Sequence, residues 1–125
     1  MKLKEYFKNH QGIGVLSSAN EEGKVASAIY AKPHVREEDT IAFIMRERRT
    51  YANLLTNDSA SYLFIDHQAP YSGIRLNLEK IKEDDDQELI QKMTRRNLTK
   101  EKDEARGPKH IVYFRVKDTL PLIGA

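Results

Sequence analysis

Short stretches of the chain alternate apolar and polar residues with a period of two, which is the pattern of half-buried β-strands. For example, Ile41, Phe43 and Met45 fall on one face of a predicted strand. Polar turns at 20–23 and 36–39 separate the first three stretches and favour antiparallel pairing. The pattern predicts six strands, over residues 12–19, 25–35, 40–45, 59–66, 73–81 and 109–117.

Three short helices are predicted from apolar residues spaced three and four positions apart. The first covers residues 2–10, and the second covers residues 51–57 with Thr50 as its N-cap. The third opens on the acidic residues 83–86, whose charges suit the start of a helix. The predicted apolar faces consist of Leu3, Tyr6, Phe7, Tyr51, Leu54, Leu55, Leu89, Ile90 and Met93.

The order of these elements predicts the fold class. Residues 97–109 are polar and contain Gly107-Pro108, so they are predicted to be a loop. Six strands joined by short turns indicate a mainly β protein, a small antiparallel barrel with short helices at its rim. A length of 125 residues without an internal repeat indicates one domain over residues 1–125.

Composition narrows the class of protein. The chain has 21 Lys and Arg against 19 Asp and Glu, so its formal net charge is only +2, which argues against a nucleic-acid partner. It has no cysteine, which excludes disulfides, a thiolate metal site and a cysteine nucleophile. No apolar run approaches the length of a membrane span, and the first residues do not form a secretory signal. We therefore expect a cytoplasmic protein with no membrane partner.

The stretch from residue 46 to 54 carries the clearest chemical signal. Arg46, Arg48, Arg49 and Thr50 fall where a predicted strand ends and a helix begins. The first turn of a helix has unpaired N–H groups, and arginine adds a bidentate donor for phosphate. The alternative is a surface helix whose arginines are simply solvated.

Three pieces of the sequence resemble the pyridoxamine 5′-phosphate oxidase-like family, the FMN-binding split barrels. Residues 14–24 resemble the opening hairpin of that family, and residues 27–30 resemble its second strand. Residues 49–55, followed by a strand at 60–64, resemble its phosphate-binding segment. The resemblance covers nearly the whole chain and rests on the order and spacing of the pieces.

The resemblance implies a six-stranded split barrel that forms a homodimer, with one FMN per subunit at the interface. It puts the FMN phosphate on Arg49 and Thr50, with Arg48 beside them. It puts the flavin ring along the second strand and the end of the third. The residues so implied are Ser27, Ala28, Ile29, Tyr30, Ala31, Ile44, Met45 and Arg46. No catalytic residue is identified.

The same resemblance implies an FMN-dependent oxidoreductase or electron carrier. Residues 117–125 lack the Arg-Leu signature of enzymes that oxidise pyridoxamine phosphate, so we do not expect that reaction. One alternative is a non-catalytic binding or regulatory module that has lost the flavin or holds another phosphorylated or planar ligand. A less favoured one is a nucleic-acid-binding barrel that uses Arg46, Arg48, Arg49, Arg95 and Arg96.

The other polar residues give weaker signals. His10, His34, His67 and His110 are far apart and show no spacing typical of a metal site, so we expect no metal. They are interpreted as surface or packing residues, although His34 follows the strand that the resemblance assigns to the flavin. The acidic run 84–86 lacks the glycine of a calcium loop and is interpreted as a solvated helix start.

Overall fold

Seven strands and four helices form the chain in the computed structural model, which describes residues 1–94 and 98–124. Along the chain they are α1 (Leu3–Asn9), β1 (Gly12–Ala19), β2 (Val25–Ile29), β3 (His34–Glu37), β4 (Thr40–Arg46), α2 (Arg49–Leu54), β5 (Ser59–Asp66), β6 (Gly73–Asp84), α3 (Gln87–Met93), α4 (Lys100–Ala105) and β7 (Lys109–Pro121). Across these described residues, no helix is long and apolar enough to cross a membrane.

The strands make one antiparallel sheet in the order β2-β1-β5-β6-β7-β4-β3. The two edge strands, β2 and β3, follow each other in the chain but do not pair with each other in the described sheet. β2 pairs with β1, and β3 pairs with β4. The sheet is therefore open between β2 and β3. This confirms the mainly β, antiparallel fold with short helices that the sequence predicted.

The prediction of six strands was wrong by one, because the stretch 25–35 is divided. β2 ends at Ile29 and β3 begins at His34. Between them lies Pro33, which has no N–H group and cannot donate to a strand ladder. The Nζ of Lys32 turns away to donate to the carbonyl oxygens of Phe7 (2.7 Å) and His10 (3.1 Å), which ties the connection to the end of α1.

Two hydrophobic clusters lie on opposite faces of β4 and β7. Ile41, Phe43 and Met45 belong to the larger cluster inside the barrel, together with the inward residues of β1, β5 and β6. Ala42 belongs to the smaller cluster, where Ile90 of α3 packs against the outer face. The alternation predicted for residues 40–45 is thus confirmed, and both faces of β4 are covered over part of its length.

The start of α2 differs from the prediction. The helix begins at Arg49 with Arg48 as its N-cap, so Thr50 lies in the first turn and is not the cap. Thr50 is buried against the barrel, with only 3 % of its surface exposed. Threonine is a preferred N-cap residue, which is why the sequence favoured Thr50 in that role. Its side chain is instead packed against the barrel, and Arg48 takes the N-cap position.

Three further elements differ from the prediction, and one of them is β7, which was predicted over residues 109–117 and runs on to Pro121. β6 continues to Asp84, because its later residues pair with β7, and Asp86 then caps α3 by accepting from the N–H groups of Glu88 and Leu89. The predicted loop 97–109 contains α4, whose N-cap Thr99 accepts from the N–H of Lys102. Arg95 and Arg96, considered above for nucleic-acid binding, lie outside the described residues.

Candidate functional site

A cleft of about 210 Å³ lies beside β4, between the connection that joins β2 to β3 and the segment that carries α4. Tyr30, Phe43 and Ile44 give it apolar walls, and Arg46 lies at its edge. An apolar cavity with a few placed polar groups is the usual form of a ligand site. Its other lining residues are Ala31, Lys32, His34, Met93, Thr94, Leu98, Asp103, Arg106 and Lys109.

Tyr30 joins this cleft to the start of α2. Its ring packs edge-on against Phe43, with the ring centroids 5.7 Å apart, and its hydroxyl faces the Thr50 side chain. Burial raises the pKa of Tyr30, while Thr50 acts in the opposite direction. The phenol therefore stays protonated at neutral pH. It links the cleft wall to the start of α2, although Arg49 and Thr50 do not line the cleft themselves.

Arg49 is exposed, and its side chain makes no ion pair or hydrogen bond with any residue that the structure describes. Arg48 is also exposed, but its Nη2 donates to the carbonyl oxygen of Arg106 at 3.0 Å. Because α2 has only six residues, its dipole is weak. Anion binding at this junction would therefore depend on the side chains of Arg49 and Thr50.

Arg46 is already engaged in the structure. Its Nη1 donates to the carbonyl oxygens of Asp103 and Gly107, at 3.1 and 2.6 Å, and its Nη2 donates to the Asp103 carboxylate at 2.6 Å. Lys109 Nζ lies 3.0 Å from the same carboxylate. Hydrogen bonds from Arg46 and Lys109 lower the pKa of Asp103, so the carboxylate is charged at neutral pH.

The residues predicted on β2 and β4 divide between two environments. Tyr30, Ala31, Ile44 and Arg46 line the cleft. Met45 is buried in the barrel, so its side chain does not reach the cleft. The side chains along β2 alternate between the two faces of the strand: Ala28 is half-buried, and Ser27 and Ile29 are exposed.

Tyr62 holds the end of β2 in place from inside the barrel. Its hydroxyl lies 3.1 Å from the carbonyl oxygens of both Tyr30 and Ala31. Gly14 makes this reach possible, because a Cβ at that position would lie 1.9 Å from the Tyr62 hydroxyl oxygen. The backbone of the cleft wall is therefore positioned by a buried side chain from β5.

A second polar cluster, which the sequence reasoning missed, surrounds His110 at the start of β7. Its Nε2 lies 2.8 Å from Glu47 Oε2, and its Nδ1 is hydrogen-bonded to Asp85. Burial by itself lowers the pKa of His110, whereas its hydrogen bonds to Asp85 and Glu47 raise it and prevail. Tyr51 stacks on the imidazole with ring centroids 4.4 Å apart, and its hydroxyl donates to Glu83.

Comparison with known proteins finds similarity at the level of structure. No protein-family model matches the chain, and no curated protein matches it. An FMN-binding protein from Syntrophomonas wolfei superposes with a TM-score of 0.76 at 21 % identity, over 99 % of this chain and 86 % of that one. An F420 reductase gives 0.73 at 16 % identity, over 92 % and 94 %.

A putative pyridoxamine 5′-phosphate oxidase from Lactobacillus delbrueckii gives a TM-score of 0.69 at 10 % identity, over 95 % of this chain and 89 % of that one. At these identities the likeness concerns the fold. The chain thus has the architecture of the FMN-binding split barrels, as the sequence resemblance predicted.

Proposed function

We propose that this protein binds FMN, with the flavin ring in the cleft beside β4 and the phosphate at Arg49 and Thr50. The observation that carries the proposal is the position of Tyr30. Its ring lines the cleft and its hydroxyl faces Thr50, so one side chain links the apolar wall to the start of α2. Solved structures of the same fold named as an FMN-binding protein and an F420 reductase support a flavin-type ligand.

The side chains at the β4–α2 junction suit a phosphate. Arg49 is a permanent cation with no partner among the described residues, and its guanidinium matches two phosphate oxygens at once. Thr50 has one hydroxyl proton, which it can donate to a phosphate oxygen when its own oxygen accepts from the Tyr30 phenol. Arg48 lies next to both in the chain and adds positive charge.

The walls of the cleft suit the flavin ring. Tyr30, Ala31 and Ile44 offer apolar and aromatic surface on which a planar ring can pack. β2 is an edge strand, so the backbone groups on its open side are available to the polar edge of the ring. In this proposal the backbone of residues 27–31 takes that role, and Arg46 lies at the rim.

We propose in turn that the protein is an oxidoreductase or an electron carrier. FMN, when bound, supplies the electron or hydride transfer, and the protein supplies binding, orientation and access. The chain's own residues would do this by packing on the ring, by binding its phosphate, and by keeping bulk water from one side of the cleft.

The test begins with the visible absorbance spectrum of the purified protein, before and after incubation with FMN and removal of the excess. We expect a flavin spectrum at about one equivalent per chain. Replacing Arg49 by alanine should weaken FMN binding by about 1.5–3 kcal/mol, the value of a hydrogen bond to a charged group. That loss corresponds to roughly tenfold to hundredfold in Kd, measured by fluorescence titration.

Two controls make the result specific. Arg36→Ala removes another exposed arginine, one on β3 that does not line the cleft, and should leave FMN affinity unchanged. Riboflavin, which lacks the phosphate, should bind Arg49→Ala as well as it binds the unaltered protein. A protein that stays colourless and takes up no FMN contradicts the flavin proposal and favours a module that has lost its cofactor.

We also propose that the protein is a homodimer. Ile13, Val25, Ile29 and Ile65 are exposed on the outer face of β1, β2 and β5. The strand registers bring them together, because Val15 lies opposite Ile29 and Ile13 lies opposite Ile65. An apolar surface of this kind on a sheet is typical of an interface.

A further inference from the structure

The donor groups of Glu83, Asp85 and His110 converge at one end of the sheet. Glu83 is near the end of β6, and Asp85 follows directly after the strand. His110 begins the facing stretch of β7, where Asp84 pairs with Ile111. One donor atom from each of the three side chains lies within 4.8 Å of the other two. Small side-chain movements would bring all three to the ligand distances of about 2.0–2.2 Å that a transition metal requires.

The imidazole is oriented as it is in metal sites. A histidine that binds a metal through one ring nitrogen usually donates its other N–H to a carboxylate. Here Nε2 of His110 has that partner in Glu47, at 2.8 Å, and Nδ1 faces Asp85 and Glu83. The stacked ring of Tyr51, inclined by only 14°, further restrains the plane of the imidazole.

The carboxylate of Glu83 also has an outer partner. The Tyr51 hydroxyl donates to its Oε2 at 2.7 Å, which leaves lone pairs on both oxygens for another ligand. Outer hydrogen bonds of this kind orient a metal-binding carboxylate and hold it in place. His110 and Glu83 are therefore each held by an outer hydrogen bond, His110 by Glu47 and Glu83 by Tyr51.

The charge of the cluster favours a cation. Glu47, Glu83 and Asp85 surround a single imidazole. Lys80 Nζ lies 4.0 Å from the other oxygen of Glu83, so with a protonated imidazole the formal charge is −3 + 1 + 1 = −1. A divalent ion beside a neutral imidazole would bring the charge to −3 + 2 + 1 = 0. A mixed nitrogen and oxygen donor set suits zinc or manganese better than calcium, which prefers oxygen alone.

We propose that His110 Nδ1 and one carboxylate oxygen each from Glu83 and Asp85 bind a divalent transition-metal ion, with water completing the coordination. The ion would join the adjacent ends of β6 and β7. Through Glu47 and Tyr51 it would also brace the segment that carries Arg48 and Arg49. The proposal is independent of the flavin proposal, because none of the three ligands lines the cleft.

The test is calorimetric titration of the chelator-treated, dialysed protein with ZnCl₂ and, separately, with MnCl₂. We expect one ion per chain. His110→Ala should abolish binding or weaken it at least tenfold, and Asp85→Asn should weaken it at least tenfold as well. Asp85 is exposed, so its substitution should leave the fold intact even where loss of His110 does not. Glu47→Gln should weaken metal binding by about tenfold, because it alters only the outer hydrogen-bond partner of His110.

His67→Ala is the matched control, because His67 is an exposed histidine outside the cluster. It should leave the affinity and the stoichiometry unchanged. The proposal is overturned if neither metal binds at one equivalent per chain. It is also overturned if Asp85→Asn binds the metal as tightly as the unaltered protein, or if His67→Ala removes the binding. In those cases the cluster is an ion-pair network only.

Discussion

At the scale of single residues, the cleft depends on how one buried tyrosine fits against one glycine. Tyr62 is fully buried, and its hydroxyl contacts the two carbonyl groups at the end of β2. A Cβ on Gly14 would overlap the hydroxyl and also the ring, where the nearest carbon would lie 2.3 Å away. A ring packed on all sides cannot move aside without disturbing its neighbours.

Gly14→Ala should therefore destabilise the protein by about 1–3 kcal/mol, the usual cost of overpacking. Denaturant unfolding measures this loss as a lower midpoint at constant slope. In a Tyr62→Phe background the same substitution should cost less, because the nearest overlapping atom is gone. Equal costs in the two backgrounds would mean that Tyr62 is not the cause.

At the scale of elements, α4 is attached to the barrel by polar contacts. None of its residues is buried. Arg46 bonds to the carboxylate and the carbonyl of Asp103, and Lys109 pairs with the same carboxylate. A short helix without an apolar face depends on such contacts for its position. The Asp103 carboxylate is therefore the charged acceptor in this wall of the cleft, beside the backbone carbonyl oxygens that Arg46 and Arg48 also contact.

Asp103→Asn should loosen α4 without unfolding the barrel, because it removes the charge that Arg46 and Lys109 share. Hydrogen exchange should become faster at residues 100–105 and stay unchanged in β1 and β5. Glu104→Gln is the matched control, since Glu104 is the next acidic residue on the helix and is exposed. Equal protection of α4 in both variants would contradict this role for Asp103.

The same contact predicts how α4 responds to pH. The pKa of Asp103 is lowered in the folded protein below its ordinary value of 3.8, so the folded state favours the charged carboxylate. The stabilisation is fully present above that ordinary value and is lost as the pH falls through the lowered pKa. Around neutral pH the Asp103 carboxylate stays charged, so the protection of the α4 amides from hydrogen exchange should not change there. That protection should be lost only in strong acid. Asp103→Asn should show no such transition.

At the scale of the whole molecule, the outer face of β1, β2 and β5 is suited to a second copy of the chain. The outward residues of these strands are apolar or small and polar, with Ser17 opposite both Ser27 and Ser61 at the centre. None of them is charged. In a twofold dimer the same surface meets itself, so the lack of charge avoids repulsion between like groups.

Light scattering after size-exclusion chromatography should therefore give about twice the chain mass of 14.5 kDa, that is 2 × 14.5 = 29.0 kDa. Ile29→Glu places a charge in the middle of the proposed interface and should shift the protein to the monomer. Leu55→Glu introduces the same charge at an exposed leucine after α2 and should leave the dimer intact. A monomeric unaltered protein would refute the interface.

Sequence pattern predicted the regular parts of the fold well. β1 and β5 have the predicted limits, and the two faces of β4 separate as the alternation required. Alternation reflects burial directly, so a strand with one buried face can be read from its own residues. The helix α4 was not predicted, although its N-cap Thr99 is followed by the good helix formers Lys100, Glu101 and Lys102. Gly107-Pro108 is typical of a turn, and for that reason all of residues 97–109 were predicted to be a loop.

The sequence by itself thus determined most of the strands, the fold class and the basic junction at Arg49, because these depend on neighbouring residues. Only the tertiary structure decided which distant groups meet. Thr50 faces Tyr30, and His110 lies beside Glu83, because the sheet order brings their strands or flanking loops together. Histidine spacing along the chain argued against a metal site. The β6–β7 register instead brings an imidazole and carboxylates to one point, since contacts across a sheet follow strand pairing and not distance along the chain.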